Sequence, residues 1–429
     1  EEGSTPSLDR KGRFTVARIT LSDWETNRFV NRLAGSLKIS RKRIWFSGTK
    51  DKRAVTTQLF VIDAQESKVR DFEMKDVDIE ILGRTHQKLA MGSHAGNRFS
   101  INVRGCSDES GNPLTQEQVA SITDNQREAL VERLGEGRFP NWVGPQRFGS
   151  TRPVTAEVGR AVVEGRFSDA VDLYLGMEGF REKEDCRDFR SMWRDTKDAE
   201  KCLEHIPHKL NFERDILTSL VKKPDDYVSA FRRLPNNLQL MTVHAIQSLA
   251  FNHTLAARID SGLPLATPVI GDVVGPILES GKVDTGKLTL VNERNITRIG
   301  RNCKRGRLAV TGALPGKDTF QSKGDMAELE AGVVDSLGLS EIDWHVTDIP
   351  RLTSRGTRRS LTGTYSNFSM EAKPAFDLSE ENERWAAGPT PGDRWHPEGA
   401  CVNFRFDLPP GTYATTLLRE FTRAPIHQS

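Results

Sequence analysis

The residues Lys50-Asp-Lys-Arg53 set one carboxylate among three cations, in a turn between two apolar strand-like runs, Arg43–Phe46 and Thr57–Ile62. Nearby Lys38, Arg41, Lys42 and Arg43 add four positive charges and no further acid. A solvated loop tolerates this arrangement. An active site that keeps a carboxylate ionised beside a polyanion requires it, since opposite charges within ~4–6 Å lower a carboxylate's pKa by about 1–3 units. Familiar alternatives do not fit. Gly48-Thr-Lys-Asp is not the G-x-x-x-x-G-K-[ST] phosphate loop, and an aspartyl-phosphate enzyme would place a second acid close by for magnesium. No G-x-S-x-G elbow or H-E-x-x-H helix occurs. On this loop alone, a charge-balanced basic turn and a catalytic Asp51 stand level.

Composition narrows the class. The chain has 429 residues, for which two domains is the natural expectation. Its apolar and charged fractions, 36% and 28%, belong to a folded globular protein. A net charge of +2 means that nucleic-acid binding must come from local clusters. No run approaches the roughly 18 apolar residues of a membrane span, and no signal peptide precedes the first folded segment. The chain opens Glu1-Glu2 rather than with Met, so an N-terminal segment is expected to be missing. Five scattered cysteines without a C-x-x-C pair point away from a zinc ribbon or disulfide framework and towards a reducing cytoplasm. His205 and His208 read as surface residues, and no metal is expected.

The elements that must position Asp51 alternate. Phe14, Val16 and Ile19 mark a strand; Ser22 with Glu25 reads as a capping box before the helical stripe Phe29, Val30, Leu33 and Leu37. Strands are expected at Val77–Leu82 and Phe99–Val103, a helix at Gln116–Leu134, and a loop at Phe139–Gly149, rich in Gly and Pro. From Ala156 to Leu220 the pattern is helical, with Glu182–Glu204 as a solvated face. A helix follows at Val243–Ile259, β-like structure at Pro268–Leu290, a half-buried strand at Val402–Leu408 and a helix at Tyr413–Phe421.

Gly48-Thr-Lys-Asp-Lys-Arg-Ala-Val-Thr-Thr-Gln58 resembles the signature of the TruD family of tRNA pseudouridine synthases. Further blocks similar to the family's follow in order: Gly96-Asn-Arg-Phe99, Pro140-Asn-x-x-Gly-x-Gln-Arg-Phe-Gly149, Ser248-x-x-Phe-Asn252, Thr311-Gly-Ala-Leu-Pro-Gly316 and Leu408-Pro-x-Gly-x-x-Ala-Thr-x-x-Leu-Arg-Glu420. They cover nearly the whole chain. The Pro-Glu-Asp-Phe strand that usually precedes the first block is not found.

The resemblance implies an α+β fold: a pseudouridine-synthase catalytic domain on a largely antiparallel mixed sheet flanked by helices, with an inserted α/β TRUD domain. Residues 1–151 and 345–429 would form the catalytic domain and 152–344 the insert, with RNA between them. It implies isomerisation of a uridine, most simply position 13 of tRNA, by a cytoplasmic monomer that needs no cofactor. Asp51 would be the essential carboxylate, acting at C1′ as a nucleophile or at the 2′ proton to give a glycal. Lys50, Lys52, Asn141 and Arg147 would lie at the substrate. Arg419 is either the partner of Asp51, by analogy with related synthases, or a surface charge of the last helix. The extruded base needs a stacking partner; where the family has an aromatic this chain has Val143, so Val143 or Trp142 takes that place. Two basic runs are candidates for the RNA backbone, or plain solvated surface: Arg294–Arg307, with Arg301, Lys304 and Arg305, and Arg351–Arg359, with Arg358 and Arg359. A non-catalytic RNA-binding protein on the same fold is the alternative, and a metal-dependent nuclease would need clustered acids that are not found.

Overall fold

The apolar run that begins at Phe14 forms the inner strand of a sheet. In the computed structural model, which describes residues 6–149, 152–180, 182–376, 388–389 and 394–423, thirteen strands follow one another. In chain order they are β1 (Phe14–Ser22), β2 (Ile44–Phe46), β3 (Val55–Ile62), β4 (Val77–Thr85), β5 (Asn97–Val103), β6 (Arg138–Pro140), β7 (Val273–Pro276), β8 (Thr289–Leu290), β9 (Leu308–Leu314), β10 (Thr357–Ser360), β11 (Thr362–Thr364), β12 (Ser366–Lys373) and β13 (Cys401–Leu408). The pairings whose register is defined among the described residues are antiparallel, and with the helices they make an α+β chain.

Two compact units divide the chain. The first runs to Val103 and takes in Tyr365–Lys373 and Val402–Gly411; the second contains Arg104–Thr364 and the remaining described residues. In the first, one sheet has the order β2-β3-β1-β4 and another β12-β13-β5. Alternation along β1 sends Ala17, Ile19 and Leu21 to one face, where Phe29, Val30 and Leu33 of helix Thr26–Ser36 cover them. Phe29 meets Phe60 edge-on with ring centroids 5.5 Å apart. The helix starts differently from the sequence expectation. Ser22 still belongs to β1, and the Glu25 carboxylate itself accepts the Asn27 and Arg28 N–H groups. A left-handed turn at Asp23 (φ 58°) separates Ser22 from the helix and denies it the capping role.

In the second unit a sheet of order β10-β9-β7-β8 packs on helix Asn236–Asp260, which also crosses helix Thr155–Val163. That crossing is close: a Cβ on Gly159 would lie 2.0 Å from the Thr242 carbonyl oxygen. Val158, Val162, Phe189, Trp193, Phe231 and Ile246 meet in the helical core. The Glu182–Glu204 segment is not merely a solvated face. Arg190 is buried, with Glu182 at 2.7 Å and Glu213 at 3.1 Å, because only paired carboxylates let a guanidinium sit inside. Among the described residues no helix is long and apolar enough to cross a membrane.

Candidate active site

Asp51 sits on the loop between β2 and β3, in the first unit, and is exposed. Three contacts hold the loop around it. The Ser47 carbonyl accepts the Gly92 N–H at 2.7 Å. The Lys50 N–H donates to Thr26 Oγ1, the first residue of the covering helix, at 2.9 Å. The Lys50 ammonium donates to Asn97 Oδ1 at 2.6 Å. Among the described residues Asp51 forms no salt bridge, although it lies between Lys50 and Lys52 in sequence. Chain proximity put the cations near Asp51; hydrogen bonding turns the first of them to Asn97. Lys52 is exposed.

Asn141, Trp142, Val143, Arg147 and Arg419 all lie in the second unit, which also contains Arg359. Asn141, buried at the end of β6, donates through Nδ2 to the Ser360 carbonyl (2.9 Å) and accepts from Arg359 Nη2 (2.6 Å). Arg359, expected on the RNA backbone, is thus committed to Asn141 and packs over the Phe251 ring at 5.6 Å. Burial is the main reason its pKa falls to about 10, and the Arg147 charge pushes it the same way. Arg147 ends the turn Pro145–Arg147, and its Nε is buried with no partner among the described residues. Burial and the Arg147 charge also hold His244 below its ordinary range.

Val143 is buried, its backbone clamped by the Asn252 amide through bonds of 2.9 and 3.0 Å. Gly144 follows, where a Cβ would come within 2.9 Å of the Tyr413 ring. Trp142 and Val143 line a cavity of about 600 Å³ together with Phe148, Leu249, Ile259 and Arg419. A space of that size falls in the range of small-molecule sites. Arg133 and Glu420, 3.3 Å apart, stand at the same cavity.

The two basic runs part company. Arg294, Arg298, Arg301, Lys304, Arg305 and Arg307 are exposed, and none of them forms a salt bridge among the described residues. Helix Ile296–Lys304 buries only Ile299 and Cys303, which leaves its other faces to the cations. Arg138, in β6, donates to the Cys303 carbonyl at 2.7 Å and so ties the end of this helix to the strand that leads into Asn141. Arg358, by contrast, corrects the expectation of a phosphate contact. Its side chain is 0% exposed, paired with Glu330 and bonded to Thr311 and the Phe320 carbonyl. A guanidinium enclosed in this way cannot reach RNA.

Neither Asn97 nor Asn252 stood out in the sequence, although both lie in the quoted motifs Gly96-Asn-Arg-Phe99 and Ser248-x-x-Phe-Asn252. An amide, which can donate and accept at once, was the available signal.

Comparison with known proteins covers nearly the whole chain. The family described as tRNA pseudouridine synthase D (TruD) matches residues 1–421. A Methanosarcina mazei protein described as a probable tRNA pseudouridine synthase D is 35% identical over 421 residues, covering 98% of this chain and 90% of that protein. A Halobacterium salinarum protein of the same description is 35% identical, covering 95% and 86%. The crystal structure of a candidate tRNA pseudouridine synthase D (TruD) from Methanosarcina mazei superposes with a TM-score of 0.81 at 34% identity, covering 100% of this chain and 92% of that one.

Proposed function

The chain belongs to the TruD family of tRNA pseudouridine synthases, and on that premise we propose that it converts uridine 13 of a tRNA to pseudouridine with Asp51 as the catalytic carboxylate. In this reaction the N1–C1′ bond breaks, the uracil turns over and C5 bonds to C1′. A proton leaves C5 and one is taken up at N1, so the rearrangement is redox-neutral and transfers nothing to a second molecule. No nucleotide or nicotinamide is called for.

The observation that carries the proposal is the loop itself. An exposed carboxylate, without a salt bridge among the described residues, stands on backbone fastened by Thr26 and Gly92, with Lys50 bonded to Asn97. Such a carboxylate can approach the sugar, whether it adds at C1′ or removes the 2′ proton. A protein that only bound RNA would have no use for an anion here. The cavity at Trp142 and Val143 is then the place for the extruded uracil, with the Trp142 ring or the Val143 side chain against its face. The exposed cations Arg301, Lys304 and Arg305 lie along the RNA backbone. In this reading a catalytic domain of residues 1–151 and 345–429 carries the insert 152–344.

The test is Asp51→Asn, which keeps shape and loses charge. With unmodified tRNA, pseudouridine mapping should show no product at position 13 while tRNA binding persists. Turnover within about tenfold of the unmodified enzyme, a barrier change of roughly 1.4 kcal/mol, would remove Asp51 from the chemistry. Product at another uridine would leave the chemistry intact and move the target. Activity should also survive exhaustive EDTA treatment with the tRNA folded beforehand, because the rearrangement calls for neither a Lewis acid nor a redox centre.

A further inference from the structure

Helix Ala414–Thr422 carries a carboxylate on its inner stripe. Thr416, Leu417, Glu420 and Phe421 are its buried residues. The Glu420 side chain is only 8% exposed, and a charge so enclosed is costly unless it is paired. Its pairing is one-sided. Arg133 Nη2, from the last turn of helix Gln116–Leu134, donates to Oε2 at 3.3 Å, and Arg423 Nη1 stands 3.9 Å from the same oxygen. Arg423 is itself held in place, since its Nε and Nη2 donate to Gln126 Oε1 at 3.3 and 3.1 Å. Glu420 Oε1 has no hydrogen-bond partner among the described residues, and it is not sealed from solvent. Glu420, Arg133 and Arg423 line the same cavity as Trp142, Val143 and Phe148, all within the second unit.

We infer that Glu420 reads the imide edge of the extruded uracil, accepting N3–H at Oε1 while Arg133 and Arg423 donate to the uracil carbonyl oxygens. The inference rests on the reading of this cavity as the place of the extruded base. Uracil presents O4, N3–H and O2 in a row, an acceptor, a donor and an acceptor. A carboxylate oxygen beside guanidinium N–H groups is the complement of that row. Cytosine has a bare N3, which would set one acceptor against another in an enclosed place. The turning over of the base gives a second reason. A half-turn about the N3–C6 axis exchanges N1 with C5 and O2 with O4, and leaves N3–H where it was. An acceptor on that axis keeps its bond before and after the turn, and the cations meet a carbonyl oxygen in both orientations. The freed base is thus held while its other edge is exchanged.

The test compares uridine with cytidine at the mapped target position of otherwise identical tRNA transcripts. The unsubstituted protein should bind the cytidine transcript about tenfold more weakly. Glu420→Gln has an amide that accepts from uracil N3–H or turns to donate to cytosine N3. It should bring the two affinities within about twofold and keep kcat on uridine within about threefold. Glu420→Ala should lower kcat by about tenfold or more. Equal binding of the two transcripts by the unsubstituted protein would overturn the role, whether or not the variants fold. So would a Glu420→Gln variant that still discriminates fully. A Glu420 that only pinned its helix to Arg133 would lower thermal stability when replaced and leave the uridine-to-cytidine ratio unmoved. Ala256→Phe, which fills the cavity, separates the two levels. Turnover that survives in this variant would mean that the base goes elsewhere, and the reading of the cavity fails with this inference. Turnover lost with tRNA still bound, but without discrimination in the unsubstituted protein, would strike the role of Glu420 alone.

Discussion

Two runs of basic residues, Arg294–Arg307 with six cations and Arg351–Arg359 with four, look alike in the sequence and differ in the fold. The first lies before, on and after a short helix. Ile299 and Cys303, four residues apart, face inward on one stripe, and a helix with one narrow apolar stripe presents its remaining faces to water. The second runs into β10, and a strand sends successive side chains to opposite faces. Arg358 is turned inward to Glu330, while Arg359 on the other face reaches Asn141. Arg351 bonds the Gln239 side chain, and Arg355 stands 3.9 Å from Asp318. Charge density in a sequence thus says nothing about which charges are free; the period of the element decides it. Among the described residues the six cations of the first run are exposed and form no salt bridge, whereas those of the second run each meet a partner.

The largest effect expected from this difference is on stability. Arg358→Met leaves Glu330 buried without its cation, and breaking a buried ion pair from one side costs about 3–5 kcal/mol. Denaturant unfolding should show that loss. Arg358→Met with Glu330→Gln should lose less, because the stranded charge is gone while the amide can still bond Ser322 and the Ala313 N–H. A loss under about 1 kcal/mol in the single variant would mean that the pair is open to water and that the contrast between the runs is false.

Next in size is a change in RNA binding without one in stability. Replacing Arg301, Lys304 and Arg305 together by Ala should weaken tRNA binding and flatten its salt dependence, by about 0.7–0.9 in the slope of log K against log salt per lost phosphate contact. The rate at saturating tRNA should change little. Arg301 and Lys304 also stand in the last turn of their helix, where cations favour the helix dipole, so a stability loss of about 0.3–1 kcal/mol each is the competing role. A lower stability with an unmoved slope would assign them to the helix alone.

A smaller effect separates position from charge. Arg138→Lys keeps the charge but, being shorter, does not carry a nitrogen as far as Arg138 Nη2, which donates to both the Cys303 and the Lys304 carbonyl. Losing about 1 kcal/mol of this tie should weaken tRNA binding up to roughly fivefold, at an unchanged salt slope. A changed slope would make Arg138 itself a phosphate contact.

The elements were legible where one periodicity ruled. Helix Gln116–Leu134 has the bounds expected for it, and β1, β3, β4 and β13 lie where strand-like apolar runs were expected. Helix Asn236–Asp260 was expected only from Val243, because its first two turns carry Asn236, Asn237 and Gln239. Gln239 is buried all the same, with its amide bonded to the Leu234 carbonyl and to Arg351, a contact between segments over 100 residues apart. Partners of that kind have no local signature. The same limit hid the pairing of Lys50 with Asn97, of Val143 with Asn252 and of Arg358 with Glu330. The motif blocks named the loops; which polar atoms hold those loops depends on register between distant strands, and composition does not record it.

The smallest expected effects belong to Arg351 and Arg355, the members of the second run that point outward. Arg355 is 88% exposed and its partner Asp318 61%, so their contact at 3.9 Å is worth no more than about 0.5 kcal/mol. Arg355→Ala should leave unfolding unchanged within that margin. Arg351→Ala should cost slightly more, near 1 kcal/mol, through the exposed end of the Gln239 bond. If the first run alone carries the RNA, the double Arg351→Ala, Arg355→Ala variant should bind tRNA with a salt slope within about 0.5 of the unmodified protein, less than one phosphate contact. A slope reduced by a full contact or more, in a variant of normal stability, would return the outward half of the second run to the RNA path. The difference between the two runs would then be one of degree, two exposed cations against six, with Arg358 and Arg359 the members removed by the fold.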